Sequence, residues 1–448
     1  MSEVVDLAID LEKAGRSEWL RLRRAVRYAR GECRLPWLPD NVETEYRDLA
    51  VKSATGWIDL VLRAQTQGLF VDGYGTGDSV AWLDGWRANG MDARQAALFY
   101  AVLTCGSGWV FELPSDGGGV WMRPASADSV SALWRHSGDE WPEVVLHRID
   151  ADHWDLYDAE ARWRLVRANG RWSVVSSVVH GLGFCPAVRV VSSFDLLGAP
   201  QGEVVPLIPI QDRITDATFT LQMVAKYGAF PQRWIAGLNP GEPLRDSDGE
   251  VLRDGDGDPL MPQVKAYVDS ILMAADPDTK FGQFAAADLG QYVSALEAHV
   301  RHLAAVSQTP PHYLLGSLVN LSAEALAAAE AGLQRRIAER RMVLGEGLEQ
   351  SLRLAALILG DEAGASDVSA AVRWRDVGSR SLAQTADALL KLRDVGVPSR
   401  MLFGMIPGWS DSDVNEAMAA LSEGSSLDAL MRELVAGQSS GLEVPGVG

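Results

Sequence analysis

The densest run of chemistry-capable side chains in this 448-residue sequence is acidic. Asp246-Ser-Asp-Gly-Glu250 and Asp254-Gly-Asp-Gly-Asp258 place carboxylates at alternate positions, as calcium loops do when oxygens converge on a hard cation. Pro259 stands where an EF-hand loop needs its turn glycine, and no glutamate follows at the closing position. An acidic hairpin tip is therefore the preferred reading, and a metal-dependent nuclease using these carboxylates is the enzymatic alternative. Such a site would need carboxylates from several elements to converge. His299 and His302 sit three apart on one helical face, but no Cys or second His pair completes a ligand set.

Other reaction signatures are absent. There is no Gly-x-x-x-x-Gly-Lys-Ser/Thr loop to cradle a triphosphate, no Gly-x-Ser-x-Gly elbow and no His-Glu-x-x-His helix. Gly73-Tyr-Gly-Thr-Gly77 lacks both the lysine and the dinucleotide-binding spacing, and reads as a flexible turn. Cys33, Cys105 and Cys185 are far apart with no ligand or redox spacing, which fits reduced, buried thiols in a cytoplasmic setting. No catalytic residue, metal or cofactor is expected. The formal charge of −19 argues against a protein built to grip nucleic acid through many phosphate contacts, though not against one past which DNA slides. The acidic segment Met1–Asp10 resembles neither a secretory signal nor a transit peptide, and no apolar run approaches the ~18 residues of a membrane span.

The elements that would carry these residues alternate between helical and β-rich stretches. Residues 1–110 read as mainly helical, with a basic amphipathic helix at Ser17–Arg30 and further helices at about 43–66 and 92–104. The arginines of the first helix could meet phosphate or anionic lipid, but a solvated face or a subunit contact is preferred. From Gly108 to Ser193 short runs such as Trp109–Leu113, Glu143–His147, His153–Tyr157, Trp163–Val166 and Trp172–Val175 predict an antiparallel sheet with hairpins. Many of the 15 tryptophans fall here, as core rather than as stacking platforms. A helix follows at about 210–227, then a Gly/Asp/Pro-rich excursion flanked by strand-like runs at 232–236 and 270–273, then a helix at 291–306.

Ser307-Gln-Thr-Pro-Pro311 stops that helix, because proline lacks the N–H that a helix interior needs. After a loop, Ser322 caps one very long helix reaching Leu359, about 57 Å at 1.5 Å per residue. Leu326, Leu333, Ile337, Leu344, Leu348, Leu352, Ala355 and Leu359 form its apolar stripe, while Gly332, Gly345 and Gly347 weaken the rod. Arg335, Arg336, Arg340 and Arg341 occupy its other faces and are assigned to subunit contacts in preference to phosphate. A loop at 360–367, a strand at 368–375, two helices at 381–395 and 411–422, and a disordered tail at 437–448 complete the expectation. A rod of this length suits a ring-shaped assembly better than a compact enzyme.

The order of four stretches resembles the portal proteins of tailed bacteriophages, of the SPP1-related kind common in actinobacterial phages. These are Tyr28-Ala-Arg-Gly-Glu-Cys-Arg-Leu-Pro36 with Gly68-Leu-Phe-Val-Asp-Gly73; Leu182-Gly-Phe-Cys-Pro-Ala-Val188 leading to Gly202–Ile214; Ser307–Gly316 with Asn320–Leu326 and the long helix; and Val372-Arg-Trp-Arg-Asp376. The resemblance implies an α+β portal fold: a wing (1–203 and 323–379), a two-helix stem (204–227 and 288–306), a small β-rich clip (228–287), a tunnel loop (307–322) and a helical crown (380–436). The long helix is expected to be kinked. The family implies a ring, typically a dodecamer, at one capsid vertex of the virion, assembled in the host cytoplasm and independent of membranes. Double-stranded DNA would pass through it, and terminase, head-completion or adaptor proteins, major capsid and scaffold proteins would dock on it. In the tunnel loop Gln308, His312, Tyr313 and Asn320 would face DNA. A monomeric scaffold or binding protein whose long helix docks a partner is the second alternative.

Overall fold

A computed structural model of the chain describes residues 2–40, 43–75, 77, 79–136, 139–194, 199–228, 233–236, 250, 251, 253, 255, 258, 259, 280–283, 288–316, 323–375, 382–406, 409 and 411–422. Helix α1 spans Ser2–Ala29, α2 Thr44–Ser53 and α3 Trp57–Thr66; β1 (Val71–Tyr74) precedes a π-helical turn at Ala81–Arg87 and α4 (Met91–Cys105). Eight strands follow: β2 Ser107–Pro114, β3 Val120–Ser126, β4 Val130–Leu133, β5 Val144–Arg148, β6 His153–Tyr157, β7 Ala161–Ala168, β8 Arg171–Val179 and β9 Ala187–Val191. Next come α5 (Val204–Gly228), β10 (Arg233–Ala236), β11 (Lys280–Gln283), α6 (Leu289–Ser307), α7 (Pro311–Leu315) and α8 (Ala323–Ile358). The chain continues through α9 (Glu362–Ser366), β12 (Val372–Trp374), α10 (Leu382–Asp394), α11 (Ser399–Gly404) and α12 (Asp411–Ser422). The fold class is α+β.

Compactness divides the chain into two units, one of Met1–Cys33, Thr55–Gln211 and Val300–Gly448, the other of Arg34–Ala54 and Asp212–His299. The first unit is built on two antiparallel sheets, the meander β4-β5-β6-β7-β8 and the trio β3-β2-β9. Helix α1 lies on the meander: Ala8, Leu11 and Trp19 pack with Val144, Leu146, Trp154, Leu156 and Leu165. The Trp19 indole N–H donates to the Val130 carbonyl at 2.8 Å, and a Cβ on Gly15 would meet the Ser131 hydroxyl at 2.8 Å. Trp109, Phe111 and Leu113 of β2 join Tyr157, Cys105 and Cys185 in a second core. All three cysteines are buried and none forms a disulfide.

Helix α8 runs unbroken through the same unit, with Leu333, Ile337, Leu344, Leu348, Leu352 and Ala355 buried as their spacing predicts. Gly347 has a specific reason: an added Cβ would sit 3.1 Å from the Val190 Cα, so glycine lets α8 approach β9 closely. Strand β12 returns to pair antiparallel with β1, some 300 residues earlier in the chain. The last three helices carry their own small core of Leu389, Leu402, Phe403, Ile406 and Val414. In the second unit, β10 and β11 form a two-stranded antiparallel ladder, and Lys226 of α5 pairs with Glu45 of α2.

Several sequence expectations are corrected. The first helix begins at Ser2 rather than Ser17, since the apolar spacing of Ala8, Leu11 and Gly15 continues upstream. The single helix expected at 43–66 is two, α2 and α3. Within the first unit the Gln211 amide holds the open backbone at this break, accepting from the Trp57 N–H at 3.0 Å and donating to the Thr55 carbonyl at 2.7 Å. The loop expected at 360–367 contains α9, capped by the Asp361 carboxylate on the Gly364 N–H. Strands β3, β4 and β9 and helix α11 were not read from the sequence. The strand expected at 270–273 and the tail at 437–448 lie outside the described residues.

Candidate functional site

The turn between α6 and α8 is built by local sequence. Helix α6 ends in a Schellman motif: the Thr309 N–H reaches the Ala304 carbonyl at 3.0 Å, and the Gln308 N–H reaches Ala305 at 3.3 Å. The residue that must turn left-handed is Gln308, at φ 54°, where glycine is usual. An L-residue there costs about 1 kcal/mol. Ser307 and Thr309 are buried on either side, their hydroxyls 3.0 Å apart, so the inward positions are filled and Gln308 is left exposed.

Pro310 and Pro311 then fix the exit. Pro311 takes the first helical position of α7, where its missing N–H costs nothing. The loop expected over 307–322 is thus partly helical, ending at Gly316 in a left-handed cap. Leu314 points into the core, His312 is half-buried and Tyr313 is exposed. The His312 and Tyr313 rings meet edge-on at 4.7 Å, and the Tyr313 hydroxyl donates to Glu330 of α8 at 3.2 Å. Burial and the Glu330 carboxylate raise the Tyr313 pKa. Gln308, His312 and Tyr313 therefore share one short turn, whereas Asn320 lies outside the described residues. Beside the turn, Arg301, Gln308, Pro311, Arg335 and Glu339 line an open cleft of about 540 Å3.

The four arginines of α8 divide. Arg336 and Arg340, one helical turn apart, both grip Glu203, the residue preceding α5. The Arg340 contact is 2.7 Å, and its other nitrogen donates to the Ser192 carbonyl at 2.6 Å. Glu203 retains only 5% of its side-chain exposure, so this is a desolvated two-to-one clamp. Around it the chain is tight: Gly106 stands at φ +91°, and a Cβ there would sit 2.4 Å from the Pro200 carbonyl oxygen. Arg341 ties two distant segments together, donating to the carbonyls of Gly68 at 2.6 Å and Arg375 at 2.7 Å. Of the four, only Arg335 is exposed. The subunit-contact expectation for Arg336, Arg340 and Arg341 thus meets side chains already engaged within their own unit.

Two residues passed over in the sequence carry weight. Nothing in the sequence singles out Glu203; the (i, i+4) pair Arg336/Arg340 was the available hint that a buried acid faces α8. Glu112 on β2 is fully buried, accepts a hydrogen bond from the Ser351 hydroxyl of α8, and leaves its Oε2 without a partner. Burial holds its pKa well above the usual carboxylate value. Of the acidic run 246–258, the structure describes Glu250, Val251, Arg253, Gly255 and Asp258, with an antiparallel bridge between Arg253 and Pro259; the rest lies outside the described residues. His299 and His302 lie on α6, and no group of three or more His, Cys, Asp or Glu able to hold a metal occurs among the described residues. No described helix is long and apolar enough to cross a membrane.

Residues 21–426 match the family model described as phage portal protein, SPP1 Gp6-like. Over 232 residues, half of this chain and 45% of the relative, the sequence is 32% identical to a portal protein of Mycobacterium phage L5. Over 245 residues, 53% of this chain and 48% of the relative, it is 32% identical to a portal protein of Mycobacterium phage D29. These matches span about half the length of the curated relatives. Among solved structures, a chain from the neck of an empty gene transfer agent particle computed with C6 symmetry has a TM-score of 0.43 and 16% identity, covering 84% of this chain and 96% of that one. A chain from the neck of the native particle computed with C12 symmetry has a TM-score of 0.41 and 15% identity, covering 86% and 94%.

Proposed function

The chain belongs to the SPP1 Gp6-like family of phage portal proteins, and from that membership we propose that it forms a closed homo-oligomeric ring, a dodecamer, at one capsid vertex of the virion. The ring serves as the channel for double-stranded DNA during packaging and ejection. It is also the docking platform for terminase and for head-completion, adaptor, capsid and scaffold proteins, and it assembles in the host cytoplasm. The observation that carries this reading is the extent of the family match, which runs from within α1 to beyond α12. The protein acts without catalysis; packaging energy comes from a separate motor, in keeping with the missing triphosphate loop.

The regions take family roles in this reading: wing 1–203 and 323–379, stem 204–227 and 288–306, clip 228–287, tunnel loop 307–322 and crown 380–436. Residues 212–299 fall, together with Arg34–Ala54, in a compact unit other than the one built on the meander and the β3-β2-β9 trio, which supports separating the excursion from the wing. The tunnel segment touches DNA without sequence preference through Gln308, His312, Tyr313 and Asn320. The exposure of Gln308 and Tyr313, together with the low charge of the turn, supports weak sliding contacts over a tight grip. Arg335 is the arginine of its cluster that remains available to a neighbouring subunit. Deletion of residues 308–320 tests this assignment: rings should still assemble, while DNA packaging or retention falls. Normal packaging by that variant would refute the tunnel-loop role.

A further inference from the structure

Helix α1 carries a band of positive charge that the described chain does not neutralise. Lys13, Arg16, Leu20, Arg23, Arg27 and Arg30 recur at three- and four-residue steps and so share one side of the helix, with Arg24 beside them. All seven are exposed, Leu20 by 62%. Lys13 has Asp10 at 3.5 Å and Arg27 has Glu32 at 3.2 Å, both exposed pairs of small worth. Arg16, Arg23, Arg24 and Arg30 have no ion pair among the described residues; Arg24 only lies over the Tyr28 ring at 5.9 Å. Arg148 of β5 adds to the band: its pKa is lowered first by burial and then by Arg23, so the two guanidiniums stand within electrostatic reach. From Arg16 to Arg30 the band is roughly 21 Å long at 1.5 Å per residue.

Where the band ends, the surface opens into a cleft of about 480 Å3. Arg30, Arg63, Tyr100 and Asp128 line it, with the small side chains Ala29, Ala97 and Ala101; Arg63 is paired with Asp59 at 2.8 Å, so Arg30 is the arginine that continues the band into it. A phosphate backbone needs only the charges. An exposed leucine within the band and an alanine-rich cleft at its end add the apolar area that protein partners bury, in a setting where arginine is enriched. The chain as a whole, band included, carries a net charge of −19, with acids such as Asp152 and Glu362 exposed on other elements of the same unit. A second copy therefore offers the complementary sign. It cannot offer the same patch, because like charge would then face like across a two-fold axis.

We infer that the α1 arginine band is one half of a head-to-tail contact whose occupant is an acidic surface of a second copy of this chain. The inference rests on the ring reading above and supplies it with a surface: unlike patches on each subunit are what let a repeated contact close.

The test uses the full chain with Arg16→Lys or Arg23→Lys, which keeps the charge and adds an amine. Nitrogen-15-labelled and unlabelled copies are mixed, assembled, and treated with a carbodiimide that joins amines directly to carboxylates. The expected result is peptides linking position 16 or 23 to an Asp or Glu of the differently labelled copy, lost at high salt. In parallel, Arg16→Gln/Arg23→Gln/Arg24→Gln should raise the concentration needed for assembly at least tenfold. Arg135→Gln/Arg171→Gln/Lys391→Gln, equal in charge but elsewhere, should leave it unchanged. Rings of the Arg16→Lys and Arg23→Lys variants that assemble but give no inter-copy link at either position overturn the inference and leave the ring intact. So does a triple variant that assembles normally but loses bound double-stranded DNA, which would assign the band to phosphate. A wild type that never leaves the monomer overturns the ring reading itself. The lysine variants remain informative if the glutamine variant fails to fold.

Discussion

Two buried carboxylates, Glu203 and Glu112, decide most at the scale of single residues, and neither belongs to the acidic run that dominates the sequence. Glu203 is held by Arg336 and Arg340 in a nearly dry setting. Glu203→Ala should cost about 3–5 kcal/mol, because it strands two guanidiniums rather than merely deleting a contact. Chemical denaturation of the variant measures this, and a loss under 1 kcal/mol would show that the clamp is solvated. Glu112 behaves in the opposite way. The folded chain keeps its carboxyl protonated, while the unfolded chain releases that proton above the ordinary value of 4.5. Stability should therefore fall as pH rises above that value, by about 1.4 kcal/mol per pH unit, and level off once the raised folded pKa is passed. Glu112→Gln removes the proton but keeps the shape, so its stability should lack that slope and exceed wild type at neutral pH. An unchanged slope would mean that Glu112 is ionised in the folded chain.

Elements were legible where one periodicity ran long enough to be unambiguous. Helix α8 was readable from its leucine spacing, and β5, β6, β7 and β8 from their alternating β-branched and aromatic runs. The short pieces were not, because their existence depends on partners distant in sequence. The strand β12 is three residues long and is defined by pairing with β1. The break between α2 and α3 has Gly56 as its local signal, but the Gln211 amide that holds it comes from 154 residues away. The candidate turn shows the same division. Pro310 and Pro311 announced a helix stop, whereas a glutamine in the left-handed C-cap position gives no sequence signal at all. The glycines of α8 read as weaknesses in the rod, yet Gly347 marks a close approach to β9. Gly347→Val should force α8 off the sheet and cost about 1–3 kcal/mol, read from the thermal or denaturant midpoint. Gly332→Ala, whose Cβ meets nothing within 4 Å, should instead be neutral or stabilising. Equal effects at the two sites would contradict the close-approach argument.

For the whole molecule, composition excluded more than it identified. The charge of −19 and the absence of reaction motifs removed tight nucleic-acid grip and phosphate-loop chemistry from consideration. The match to the portal family runs across residues 21–426, well beyond any one motif. Ring closure is the central claim, and it governs how every exposed surface is understood, from Arg335 to the α1 band. The most direct test is the mass of the purified full chain in solution across a concentration series, with images of the same sample. The account predicts a discrete particle of about twelve times the 48.5 kDa subunit, with a central hole. A single species near one subunit mass at every concentration and salt, or an open-ended series of sizes, would contradict it.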